Sequence, residues 1–142
     1  MKRKVLLMIN VMLWFGLFSA CSSDDDDINP LLLNEWVLVS YGNESSEVIK
    51  EANGYYYSIT FHSDGTYSGY AYGNQRDGKY ECNGHEIHFY DCVITALYVK
   101  DSDPDNFYLK HWRDVNTYTV SDTELRLFYS INQYFKFRNK NK

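Results

Sequence analysis

Short apolar-aromatic runs alternate with turn residues along most of the chain. Trp36-Val37-Leu38-Val39 is a strand-forming run that ends near Gly42-Asn43. Tyr57, Ile59 and Phe61 alternate with Ser58, Thr60 and His62, the period of a half-buried strand. Ser63-Asp64-Gly65 supplies a turn, and residues 66–72 return as a second strand carrying Tyr67, Tyr70 and Tyr72. Residues 79–82 and 86–90 flank Asn83-Gly84, a strong hairpin signal that sets Cys82 opposite His85. Residues 93–98 make a further strand, and residues 117–120, 125–129 and 134–137 form a closing meander. Between them, Asp103 can cap a short helix with Pro104 in its first turn, running past Phe107 to Trp112. About eight short strands with one short α-helix predict a mainly β domain over residues 31–138, an antiparallel curled sheet or half-open barrel.

The first thirty residues follow a different pattern. Lys2, Arg3 and Lys4 precede an almost wholly apolar run over residues 5–18, and the small pair Ser19-Ala20 stands before Cys21. This is the layout of a secretory signal peptide, residues 1–20, cleaved after Ala20. A spanning helix needs ~20 apolar residues, and this run is shorter and interrupted by Asn10. Phe18-Ser19-Ala20-Cys21 resembles the lipobox of bacterial lipoproteins, although Phe18 stands where Leu is usual. That resemblance implies palmitate-type acyl chains on Cys21 as the membrane partner, and several such chains anchor a protein firmly. Ser22-Ser23 and Asp24 to Asp27 follow, and four adjacent carboxylates repel one another too strongly to be buried. Residues 21–30 therefore read as an acidic tether. A Ser/Asp run at this place also resembles the surface-export signal of lipoproteins in one group of Gram-negative bacteria. It implies an outer-membrane lipoprotein exposed on the cell surface.

Composition sharpens the picture at two points. Of the 142 residues, 18% are aromatic, with 14 Tyr and 8 Phe, which makes the tyrosines the central functional question. Tyr suits half-buried strand faces on propensity alone. It also offers broad contact area with a polar tip, so Tyr67, Tyr70, Tyr72 and Tyr80 form a candidate ligand or partner surface. The formal charge is -5, and removal of Lys2, Arg3 and Lys4 with the signal peptide takes it to -8. No basic cluster precedes Lys136, Arg138, Lys140 and Lys142, so no nucleic-acid partner is expected. Residues 139–142 read as a frayed basic tail.

The chain lacks the motifs of familiar chemistry. His85 and His88 lie three apart on a strand and point to opposite faces, so no shared metal is expected. Neither a GxSxG elbow nor a GxxxxGK loop occurs. Cys82 and Cys92 sit in an exported chain that permits a disulfide. Their expected hairpin register separates them by more than the ~7 Å a bridge spans. The expectation is a monomeric, non-enzymatic protein without cofactor.

At this point the order of residues resembles a known family. Trp36-Val37-Leu38-Val39-Ser40-Tyr41 looks like the opening strand of the META domain of HslJ-like bacterial proteins. FHSDGTYSGYAYGN, residues 61–74, is similar to that family's strand, Asp-Gly turn, strand and Asn. Gly78-Lys79-Tyr80 matches its Gly-x-Tyr, and Gly84 with Ile87 and Phe89 fits the next hairpin. The closing part runs from Phe107 through Trp112, Val115, Tyr118 and Val120 to Leu125-Arg126-Leu127. The resemblance implies structural roles for Trp36, Gly65, Gly69, Asn74 and Gly78. Many members carry a Cys where this chain has Gly73 and another after the Thr matched by Thr95, so their cysteine pairing does not transfer. The family is associated with stress responses without a defined molecular activity, and the tyrosine-rich strands of a curled sheet carry the expectation that the domain binds a hydrophobic ligand or an envelope protein. The alternative resemblance is to a lipocalin-like lipoprotein domain that holds a small ligand, which also opens with Trp and uses a Phe-x-x-Asp-Gly-Thr turn.

Overall fold

The computed structural model describes residues 28–45, 48–49, 57–71, 74–95 and 110–142. Among the described residues nine strands follow one another: β1 (Glu35–Gly42), β2 (Val48–Ile49), β3 (Ser58–Phe61), β4 (Thr66–Ala71), β5 (Asn74–Asn83), β6 (Glu86–Ile94), β7 (Thr117–Val120), β8 (Glu124–Ser130) and β9 (Gln133–Asn139). All pair antiparallel in one sheet. Because β1 pairs with β3 on one edge and with β9 on the other, the sheet curls back on itself into a barrel. Two-residue β2 adds to β1 beside β3, through Ser40–Ile49 and Tyr41–Val48.

Alternation decides which side chains fill the interior. Tyr57, Ile59 and Phe61 face inward from β3 and its approach, as do Tyr67 and Ala71 from β4. From β5 come Tyr80 and Cys82; from the last three strands come Tyr118, Leu125, Leu127, Phe135 and Phe137. Burial of each large apolar side chain stabilises the fold by about 1.5–3 kcal/mol. Edge-to-face contacts order the rings, as between Phe61 and Tyr80 at 4.9 Å and between Tyr67 and Phe89 at 5.2 Å.

The base of the barrel is plugged from the N-terminal side. Asn29 Oδ1 accepts from the Leu31 N–H and opens a 3-10 turn over Pro30–Leu32. Leu32 is buried, and its carbonyl accepts from Trp36 Nε1–H at 2.9 Å. Ile28 also packs on the core, so the compact unit begins before residue 31 and the tether ends sooner than expected. The other end of the chain departs likewise. Asn139 is buried in β9 and donates to the Asp122 carbonyl, Lys140 Nζ bridges both Glu35 carboxylate oxygens, and Lys142 pairs with Asp122. Residues 139–142 are tied to the barrel rather than frayed.

Two further expectations change. Residues 86–94 form one strand instead of two short ones, because a bulge sets Asp91 and Cys92 opposite Gly78, with Asp91 at φ 50°. A bulge of this kind keeps the strand paired while re-aiming its side chains. The hairpin turn is centred on Gly84-His85, so Cys82 faces Ile87 and not His85. Among the described residues there are only 3-10 turns and a brief helical turn at Lys110–His111. Most of the helix expected over residues 103–112 lies outside them. Cys82 and Cys92 are both free thiols.

Candidate functional site

The outer face of β4, β5 and β6 carries mixed apolar and charged side chains in register. Tyr70 lies opposite Gln75, Ser68 opposite Asp77, and Asp77 in turn opposite Val93. Lys79 lies opposite Tyr90 and ion-pairs with Asp91 at 2.9 Å, its ammonium 6.0 Å from the Tyr90 ring. Asp91 raises the Lys79 pKa through that hydrogen bond and its charge. Tyr70 is 48% exposed and Val93 68%, both high for side chains of this kind. A shallow cleft of about 350 Å³ runs between His62, Ser68, Asp77, Lys79 and Val93. His62 Nε2 lies 3.1 Å from Ser68 Oγ, yet Ser68 sits within a regular ladder and not on a strained elbow.

The turn before β4 is held by a carboxylate. Asp64 Oδ1 accepts from the Thr66 N–H at 3.0 Å and from Thr66 Oγ1–H at 2.6 Å. The Thr66 hydroxyl, then its amide, holds the Asp64 carboxyl below its ordinary pKa.

Behind this wall lies a buried polar cluster that the sequence reading missed. Arg76 is buried on β5, with its guanidinium carbon 4.2 Å from the centre of the Trp112 ring. Arg76 Nη2 donates toward Cys92 Sγ at 3.9 Å. Trp112 Nε1–H donates to Tyr67 Oη at 3.3 Å, and Phe89 stacks on Trp112 at 4.4 Å. Burial, aided by the neighbouring Cys92, pushes the Tyr67 hydroxyl pKa up, against the opposing charge of Arg76. The signal was available: Arg76 shares parity with Asn74, Gly78 and Tyr80, so an inward charge follows from alternation.

The residues singled out from sequence divide accordingly. Tyr67 and Tyr80 are each only 2% exposed and belong to the core, which corrects their placement on a binding surface. Tyr80 donates its hydroxyl to the His62 carbonyl at 2.7 Å. Tyr70 stands on the outer face, and Tyr72 lies outside the described residues, as do Ala20 and Cys21. Trp36 is buried at the barrel base and Asn74 is buried opposite Ala71. Gly65 adopts φ +79° in the turn, a conformation that favours glycine. A Cβ at Gly69 would collide with the Ser58 carbonyl oxygen, and one at Gly78 would meet the Tyr67 ring at 2.7 Å. His85 and His88 are both exposed. Among the described residues no three His, Cys, Asp or Glu side chains converge as a metal site.

A second cleft, of about 400 Å³, lies between the loop after β1 and the β8–β9 hairpin. Arg126 of β8 lies 4.9 Å over the Tyr134 ring, with its Nε 2.7 Å from Glu124 and its Nη1 3.7 Å from Glu44. Desolvation opposes the Arg126 charge, but Glu124, Tyr134 and Glu44 together outweigh it and raise the pKa.

This curled antiparallel sheet with a packed interior places the molecule among small β-barrel domains. The META domain family model matches residues 29–142, and the chain belongs to that family. No curated protein matches it. Solved structures share the fold at low identity. A protein from Burkholderia xenovorans superposes with a TM-score of 0.63 at 17% identity, over 78% of this chain and 83% of that one. A DUF4847 family protein from Bacteroides vulgatus gives a TM-score of 0.60 at 14% identity, over 80% of this chain and 96% of the other.

Proposed function

We propose that the protein is a lipid-anchored, non-enzymatic member of the META family that binds another envelope protein through the outer face of β4–β6. The observation that carries the reading is the exposure of Tyr70 on β4 and of Tyr90 and Val93 on β6, on either side of Asp77 and Lys79 on the β5 strand between them. Aromatic anchors within a polar surround are the usual composition of a contact surface. The interior is occupied by Trp36, Phe61, Tyr67, Trp112 and Phe135. That packing favours an outer-face partner over a hydrophobic ligand held inside. Anchoring rests on the junction Ser19-Ala20-Cys21, and display on the outer membrane surface rests on the acidic run that follows.

Crosslinking on intact cells tests the partner. The wild-type chain is expected to trap a defined envelope protein that Tyr70→Asp with Val93→Asp no longer traps. Equal capture by both chains refutes the docking face. Metabolic labelling with an alkyne palmitate tests the anchor, and label persisting in Cys21→Ala refutes it. Protease added to intact cells should cut the domain; full protection refutes surface display.

A further inference from the structure

We propose that the cleft between the loop after β1 and the β8–β9 hairpin binds a neutral carbohydrate. It lies apart from the outer face of β4–β6 and does not depend on the partner assigned there. At about 400 Å³ it falls within the range of small-molecule sites, ~300–1,000 Å³.

Its lining joins the half-buried Phe128 ring, set against the buried Tyr134, to exposed polar groups. Phe128 is half-buried and meets Tyr134 edge-on, with ring centres 5.6 Å apart and planes at 70°. Arg126 lies over the Tyr134 ring and is held from two sides by Glu124 and Glu44. A guanidinium carries five N–H donors. Nε is committed to Glu124, while Nη1 stands 3.7 Å from Glu44, beyond hydrogen-bond length. Asn43, Ser45 and Asn132 add amide and hydroxyl groups around the rim. Asn132 is held at φ 60°, which fixes its position at the hairpin turn.

The chemistry selects among ligands. Two carboxylates against one guanidinium repel an anion that approaches Arg126, so phosphates and acidic sugars are disfavoured. A peptide that binds by strand addition pairs with an open sheet edge. Here β8 is paired on both sides by β7 and β9, and β9 on both sides by β8 and β1. A sugar ring needs no edge. It sets its C–H face on an aromatic ring and its hydroxyls on amides, a guanidinium and carboxylates, and these are the groups present.

The test is an array of defined neutral oligosaccharides, acidic oligosaccharides and peptides. It is probed with the full chain purified in a detergent that contains no sugar. Neutral oligosaccharides are expected to retain the wild-type chain. Retention should fall at least tenfold in Phe128→Ala and in Asn132→Gly, the second of which removes the amide and keeps the turn. His85→Ala, at the exposed β5–β6 turn, should retain as the wild type does. Unchanged thermal melting of Asn132→Gly separates loss of binding from loss of fold. Retention by acidic sugars alone, retention by peptides alone, no retention by any neutral glycan, or retention unaffected by both cleft variants overturns the proposal.

Discussion

Along β8, β9 and β1 the barrel wall is a long backbone ladder with one register shift on each side, running from Glu124–Arg138 to Ser130–Gln133 and from Trp36–Asn139 to Gly42–Tyr134. Between β6 and β7, among the described residues, one register pair joins the strands, Glu86 with Thr117. Two flanking bonds support it, from the Ile87 N–H to the Asn116 carbonyl and from the Tyr118 N–H to the His85 carbonyl. Behind this seam stand Trp112, Phe89, Arg76 and Tyr67 in mutual contact. The first wall is held by main-chain hydrogen bonds and the second by one large side chain wedged against its neighbours. The same barrel thus closes by two kinds of interaction, which respond to different perturbations.

The strongest way to break the seam is Trp112→Ala, expected to destabilise the fold by about 3–5 kcal/mol. Amide exchange should rise first in β6 and β7, and β8, β9 and β1 should stay protected until global unfolding. Uniform loss of protection would show that the two walls do not differ. Gly69→Ala tests a ladder instead, because the added methyl meets the Ser58 carbonyl oxygen. The expected loss is about 1–3 kcal/mol in chemical denaturation, with exchange rising locally in β3 and β4.

Alkali should act on both walls. Burial raises the pKa of Tyr67 and Tyr80, and likewise of Tyr118 and Tyr129. An acid whose folded pKa is raised gives up stability as pH climbs past its unfolded value, because the unfolded chain loses the proton first. The contribution of these tyrosines should be level below about pH 10 and then fall by up to about 1.4 kcal/mol per pH unit for each of them. Tyr118→Phe should soften that slope, and an unchanged slope refutes the assignment.

The smallest effect concerns the turn before β4. The folded pKa of Asp64 is depressed, so its contribution is full above the ordinary carboxylate pKa and is lost as pH falls through the folded value. A carboxyl titration by NMR should place its midpoint below that of a model peptide. Thr66→Val, which removes the hydroxyl donor, should raise the midpoint.

Much of this was legible from alternation alone. Tyr57, Ile59 and Phe61 face inward as their period implies, and Asp64-Gly65 turns the chain where expected. The closing meander falls on β7, β8 and β9. What escaped has physical reasons. The bulge at Asp91 follows from pairing with β5; Asp tolerates the left-handed conformation better than most residues, but that tolerance alone does not place a bulge. Asn74 and Arg76 hide the start of β5, because inward polar residues break the apolar pattern that announces a strand. Tyr67 and Tyr80 were drawn to the surface by their polar tips, yet buried Trp112 and the His62 carbonyl give those hydroxyls partners inside. The Arg126 cleft depends on a loop after β1 meeting a hairpin more than eighty residues later, a proximity that only closure of the barrel creates.

One consequence of that closure concerns chain order. The Lys140 N–H donates to the Glu35 carbonyl, and Trp36 lies opposite Asn139, so the domain's beginning and end are neighbours. A short flexible linker from Lys142 to Ile28, with the chain opened at Ile131, whose side chain is 89% exposed at a hairpin tip, would yield a circular permutant of the same barrel. In the native order, a reporter fused after Lys142 would emerge at the rim where Asn139 lies opposite Trp36, while the β8–β9 hairpin tip projects from the opposite rim.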